Sequence, residues 1–472
     1  MVQRVKADVD EPMGPRILFT APWDPPVVRR GDALGLRALA DQFADVLAPG
    51  LSNRVRDGRW VTILAWCLAR SQEVFHARGG RSVQTREEQS ERYGWLRPLE
   101  LMWVARTIAL AGDWRDRSLA GRRRVRPWYE DDGRSTPRFG MSLEQFRAYR
   151  QTGMYGGYRL AFRKWPNMTV YGNGWTPGPA TNRLAKWMDV KLGAARPAWP
   201  LHLGDDHDAS PITQTPKLGL GDKHDWWLRH WTTFDVGGRH AEENTLPRLR
   251  ADFAKLPEAH ILEPLVFGDD RDGVRRRKVA LEIQKAAAAD HFEVCDRLGA
   301  AFRNDATIEV LPRFTRLADA GMMAMDLIAT ALGNKSSVAL KDVAAHFNAA
   351  AVCSELRSAA DAWRGAGAMQ PRHIEQAHRF ASAITTKQPL ECLRAVLEHH
   401  EIHGGGLRWF VLRDGKVEAR SRPRAGSSRY RFRLWSLCRL GAQCGVLRGM
   451  PAALRGDNEA EEEDETAEGG DD

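Results

Sequence analysis

Lysine is scarce in this chain, 13 residues against 57 arginines among 472. A GC-rich genome produces such a bias without selection for phosphate forks, so arginine number alone does not mark a nucleic-acid surface; clustering must. Cysteine is also thin. The six, Cys67, Cys295, Cys353, Cys392, Cys438 and Cys444, lie scattered without Cys-x-x-Cys spacing, which argues against a disulfide framework and fits a reducing compartment. The longest strongly apolar run, VTILAWCLA at 61–69, is fenced by Arg59 and Arg70 and falls well short of the roughly 20 residues a bilayer needs. The opening MVQRVKADVDEP is charged and holds no apolar signal core. These absences predict a soluble, cytoplasmic protein with no membrane partner. Missing too are a Gly-x-x-x-x-Gly-Lys-Ser/Thr loop, a Gly-x-Ser-x-Gly elbow and a His-Glu-x-x-His pair, so no catalytic residue, metal ligand or cofactor is assigned.

What is present is positive charge. The formal net charge is +9, and the last 17 residues, GDNEAEEEDETAEGGDD, hold ten acidic and no basic groups, which leaves +19 on the rest. A body so charged attracts polyanions, and nucleic acid is the usual one. The acidic tail reads as disordered, a solubility segment or a competitor for the basic surface.

The length allows several compact units, and the patterning predicts a mainly α, multidomain helical protein. Residues 1–30, with Pro12, Pro15, Pro22, Pro25 and Pro26, read as an extended arm. Residues 31–117 read as an N-terminal helical bundle, 118–194 as a basic connector with a winged-helix-like segment, and 195–247 as an irregular His/Asp/Trp-rich region. Residues 248–455 read as a C-terminal helical domain with a small β-hairpin around Arg413-Asp414-Gly415-Lys416, and 456–472 as the tail.

The sharpest local pattern is MSLEQFRAYRQTGMYGGYRLAFRKW at 141–165. Ser142 and Gln145 form a capping-box pattern, Gly153 suits a left-handed helix stop, and a second helix from near Met154 to Trp165 completes a helix-turn-helix. Tyr155, Tyr158, Phe162 and Trp165 fall on one stripe of that helix and read as core, while Arg159, Arg163 and Lys164 point elsewhere. TVYGNGW then resembles a wing, and Thr176-Pro177 a start for the next helix. Between 115 and 165 there are thirteen basic and five acidic residues. Arg122, Arg123, Arg124, Arg126, Arg147, Arg150, Arg159, Arg163 and Lys164 are therefore the candidate nucleic-acid-binding set, meeting mainly phosphates. Arg429, Arg431 and Arg433, alternating with Tyr430 and Phe432, would form a second basic face if the segment were a strand.

Two further constellations are open to a metal. Gly-Asp-x-His-Asp occurs at 204–208 and 221–225, and His202, Asp205, His207, Asp208, Asp222 and His224 could serve a metal-dependent nuclease, although such pairs are also ordinary turn chemistry. Cys392, His399 and His403 share a helical stripe that could hold zinc with Cys438 or Cys444, or simply border a core. HGGGLRW at 403–409 reads as a helix end.

Three phrases, APGLSNRVRDGRWVTILAW at 48–66, FGMSLEQFRAYRQTGMYGGYR at 139–159 and RYRFRLWSLCRLGAQCGVL at 429–447, resemble uncharacterised bacterial proteins encoded near phage-defence genes. The resemblance implies an accessory role in a defence or mobile-element system, alongside other proteins of that system, and carries no catalytic residues. Together these readings favour a non-enzymatic DNA-binding component; a metal-dependent nuclease using 202–240 and a protein scaffold are the alternatives.

Overall fold

The computed structural model describes residues 32–77 apart from 53 and 56, scattered positions between 83 and 104, residues 153–192, 255–285, 288–365, 373–404, 408–420 and 430–454. The proline-rich arm, the arginines from 122 to 150, the His/Asp-rich region and the acidic tail lie outside them.

Helix α1 (Arg37–Leu47) buries Leu39, Ala40, Phe43, Ala44 and Leu47 along one face, as its apolar spacing requires. Its orphan N–H groups are met from four residues upstream: the Asp32 carboxylate accepts from Leu36 N at 2.8 Å and Arg37 N at 3.2 Å. Helix α2 (Gly58–Ala77) is different, because Val61 to Leu68 are buried on every side. An all-round apolar helix belongs at a centre, and that is where the run VTILAWCLA goes. Trp66 meets Trp103 edge to face with ring centres 6.0 Å apart.

Helices α3 (Met154–Lys164) and α4 (Pro179–Leu192) follow. Helix α4 lies along α2, and its Asp189 accepts from Trp66 Nε1 at 2.9 Å and from Arg70 at 2.7 Å. Next come α5 (Ala259–Phe267), α6 (Arg271–Lys285), α7 (His291–Ala301), α8 (Ala306–Glu309) and α9 (Leu311–Leu332). Arg276 of α6, itself buried, donates to Val266 O at 2.5 Å and to Pro49 O at 2.6 Å, joining the end of α5 to the turn after α1.

Strand β1 (Ser337–Ala339) precedes α10 (Leu340–Ala344), α11 (Ala349–Arg364), α12 (Ile374–Ala383) and α13 (Pro389–His403). Strands β2 (Phe410–Arg413) and β3 (Lys416–Ala419) pair antiparallel, with Phe410 opposite Ala419. Asp414 and Gly415 between them both have positive φ, 48° and 72°, the backbone that a two-residue hairpin needs. Strand β1 adds to the free side of β3, Ser337 opposite Glu418, which the local sequence of neither segment announces. Helix α14 (Leu434–Cys444) and a 3-10 turn, Ala452–Leu454, end the order among the described residues.

The helices assigned from sequence to separate N-terminal and C-terminal units share one buried core that runs from Ala33 to Leu454. Leu34 packs on Gly321 of α9 so closely that a Cβ there would come within 2.6 Å of it. At the start of α2 a buried polar junction ties four helices. Asp57 N donates to Tyr158 Oη at 3.0 Å, Arg439 donates to Asp57 at 2.9 Å, and Gly58 N donates to Gln443 Oε1 at 2.8 Å. Arg59 meets Glu258 through two bonds of 2.5 and 2.9 Å, and Thr62 adds a third at 3.2 Å.

Three local expectations need correction. Gly153 is an extended N-cap with φ −71° rather than a left-handed stop. Helix α4 begins at Pro179, two residues beyond the expected Pro177. Residues 430–433 are not a strand: Phe432 and Arg433 have φ of 52° and 60°, forming a left-handed turn into α14.

Candidate functional site

The site is built on the turn from α3 to α4. Pro166 ends α3 by forcing Trp165 into extended backbone, φ −75° and ψ 147°. The chain then doubles back: Val170 N donates to Thr176 O at 2.9 Å, and Thr169 bridges Pro177. Between them lies a short 3-10 turn, Val170–Gly172, where the sequence suggests two extended pieces. The reason is local. The Asn173 side chain accepts from Trp175 N at 2.8 Å and Thr176 N at 2.9 Å, and donates to Thr176 Oγ1 at 3.0 Å, so an Asx turn replaces the strand ladder.

Both helices pin the loop from below. Thr169 Oγ1 donates to Phe162 O at 2.8 Å and accepts from Gly174 N at 3.0 Å. Thr181 Oγ1 of α4 donates to Met168 O at 2.5 Å, and the Tyr155 hydroxyl donates to Gly174 O. Trp175 is fully buried beneath the loop against Tyr155, ring centres 5.4 Å apart. Burial raises the Tyr155 hydroxyl well above its ordinary value despite the opposing pull of Arg159 and Arg92. It therefore stays protonated and holds its bond.

At the crown, Val170 is 37% exposed and Tyr171 is 101% exposed. Tyr171 has φ 50° and ψ 22°, a left-handed conformation that bulky L residues rarely take. Gly174, at φ 76°, leaves room underneath; a Cβ there would meet Arg163 Cγ at 2.9 Å and Arg159 Nε at 3.3 Å. Arg163 and Lys164, in the last turn of α3, are exposed, as are Arg183, Lys186 and Lys191 on α4. From 153 to 192 there are six basic residues and one acidic, Asp189, which is bound to Arg70 and Trp66.

No protein-family model, no curated protein and no solved structure matches this chain. The residues themselves must carry the functional reading.

Of the candidate basic set, Arg122, Arg123, Arg124, Arg126, Arg147, Arg150 and Arg429 lie outside the described residues. Arg163 and Lys164 are exposed beside the loop. Arg159 is half-buried, its guanidinium 4.8 Å from the centre of the Trp175 ring. That stacking makes it a support of the loop, since a cation over an aromatic face is held by the ring quadrupole. Arg431 is half-buried ahead of α14, and Arg433 pairs with Asp45 and, at 3.9 Å, with Asp41 of α1. With Tyr430 and Phe432 packed on Phe314, the alternation over 430–433 serves the core and an ion pair instead of a strand face.

The repeated Gly-Asp-x-His-Asp motif lies outside the described residues. Among the described residues no cluster of His, Cys, Asp or Glu is arranged to hold a metal ion. Cys392 is buried, and the buried His399 meets the Leu34 carbonyl through Nε2 at 3.0 Å, so both face the core. Cys438 and Cys444 are buried in α14. Among the described helices none is long and apolar enough to cross a membrane. Two features escape sequence reasoning. One is the polar junction at Asp57, whose partners are hundreds of residues apart. The other is Tyr171, whose only local signal is an aromatic set among Gly172, Asn173 and Gly174.

Proposed function

We propose that the chain is a non-enzymatic nucleic-acid-binding protein, in line with a DNA-binding role in a bacterial defence or mobile-element system, and that Arg163, Lys164 and the loop crown at Val170 and Tyr171 are part of its contact surface. The observation that carries the reading is the juxtaposition of exposed Arg163 and Lys164 with a rigid loop whose crown exposes Tyr171. Cations of this kind meet phosphate oxygens and set position without reading bases. The loop is fixed before binding, so little order is lost on contact.

The test is fluorescence anisotropy of labelled DNA over a salt series with the Arg163→Ala, Lys164→Ala double variant. Affinity should fall for unrelated sequences alike, and the salt slope should flatten by about one unit per lost phosphate contact. An unchanged affinity and slope in a variant that keeps its thermal midpoint would overturn the assignment of this surface.

A further inference from the structure

We infer that Tyr171 is a base-stacking residue and that the surface beside Arg163 and Lys164 takes unpaired nucleotides, a single strand in preference to a duplex. This rests on the nucleic-acid reading above and narrows it. The ring has no packing role: it stands fully in solvent on a backbone with φ 50°, while every other element of the loop is pinned. A tyrosine at that position costs burial and backbone ease at once, and Asn or Gly would sit there with less strain. The loop nevertheless supplies a complete scaffold for it. Bonds from Asn173, Thr169 and Tyr155 hold the backbone, and Trp175 under Arg159 fills the space below.

An exposed ring carried on a pinned loop that closes over Arg163 matches what a single strand offers. Each unpaired base presents a π face, and the phosphates follow at a spacing that nearby Arg and Lys can meet. In a duplex those faces are already covered by neighbouring bases. Val170, the preceding residue, is also partly exposed and adds apolar surface at the crown. The exposed cations Arg163 and Lys164 give charge complementarity to the strand and to no apolar peptide.

The experiment compares a 12-nucleotide oligo-dT with a 12-base-pair duplex, each titrated with the full chain and with Tyr171→Ala, Tyr171→Phe and Tyr171→Asn. The parent should bind the single strand more tightly. Tyr171→Ala and Tyr171→Asn should lose roughly 5- to 150-fold on oligo-dT, the range of one base–aromatic stack, with duplex binding unchanged. Tyr171→Phe should stay within about twofold of the parent, since the stack needs only the ring face. Tyr171→Asn tolerates the left-handed backbone, so its thermal midpoint should be no lower than the parent's, which separates binding from folding. Equal loss on both probes would make the ring a wedge in duplex DNA and overturn the inference. Unchanged oligo-dT binding in Tyr171→Ala, with weakening in the Arg163→Ala, Lys164→Ala variant, would overturn it and leave the nucleic-acid reading standing. Absence of binding to either probe by the parent would remove both.

Discussion

His400 Nδ1 lies 2.7 Å from the carbonyl oxygen of Ala33, 367 residues away in the chain. Its other nitrogen, Nε2, accepts from the backbone N–H of Trp409 at 3.0 Å. A ring that accepts at Nε2 must carry its single proton on Nδ1 and donate it to Ala33. Neighbouring His399 is also buried and meets the Leu34 carbonyl. Burial holds His400 below its ordinary value and pushes His399 down from 6.5 to about 4.

Acid should therefore unfold the protein through these two rings. Between pH 6.5 and 4 the unfolded chain binds protons that folded His399 refuses, so stability is fully present above 6.5 and falls as pH drops through that window. For His399 alone the loss is about 3 kcal/mol by the bottom of the window. Urea midpoints at pH 7.5, 5.5 and 4.5 should decline more steeply in the parent than in His399→Gln. Parallel declines would assign the acid sensitivity to other groups.

Glu258 is wholly buried and balances Arg59. Glu258→Ala strands that guanidinium in the core and should cost about 3 to 5 kcal/mol in chemical denaturation. Replacing both partners, Arg59→Met with Glu258→Leu, should recover most of the loss, because apolar groups leave no charge uncompensated. A double variant less stable than the single would show that the pair contributes more than it costs to bury.

Phe162 is fully buried between α3 and the loop base, with its ring centre 5.3 Å from that of Tyr155. Phe162→Ala should destabilise by about 3 to 5 kcal/mol. Tyr158→Phe keeps the ring and removes the acceptor of the Asp57 N–H, at a cost of about 1 to 3 kcal/mol. Thermal midpoints should rank parent, Tyr158→Phe, Phe162→Ala; an unmoved midpoint in the last would place that ring outside the core.

Much of the helical fold is legible because apolar spacing survives tertiary packing. Leu39, Phe43 and Leu47 mark α1, and the four aromatics from Tyr155 to Trp165 mark α3 and are all buried. Breaks are harder to read. Within the stretch read as a C-terminal helical domain, β1 (Ser337–Ala339), a gap after Ala344 and another between Ala383 and Pro389 interrupt the helices, since short turns there keep the apolar period on both sides. Arg433 illustrates why the basic faces were only partly legible. Charge alternation looks the same on a strand and in a turn, and only the fold brings Asp41 and Asp45 beside it. For Tyr171 the local residues name a loop, but its stiffness depends on Tyr155 and Thr181 reaching in from the two helices.

The bond from Arg439 to Asp57 spans 382 residues. A ribosome adding about 5 to 20 residues per second takes roughly 20 to 80 seconds to cover that interval. Throughout it α2, apolar on all sides from Val61 to Leu68, has left the exit tunnel without α14 to finish its surroundings. A nascent chain of this layout can lay α4 along α2 early, whereas the polar junction at Asp57 closes only once α14 emerges, near the end of synthesis.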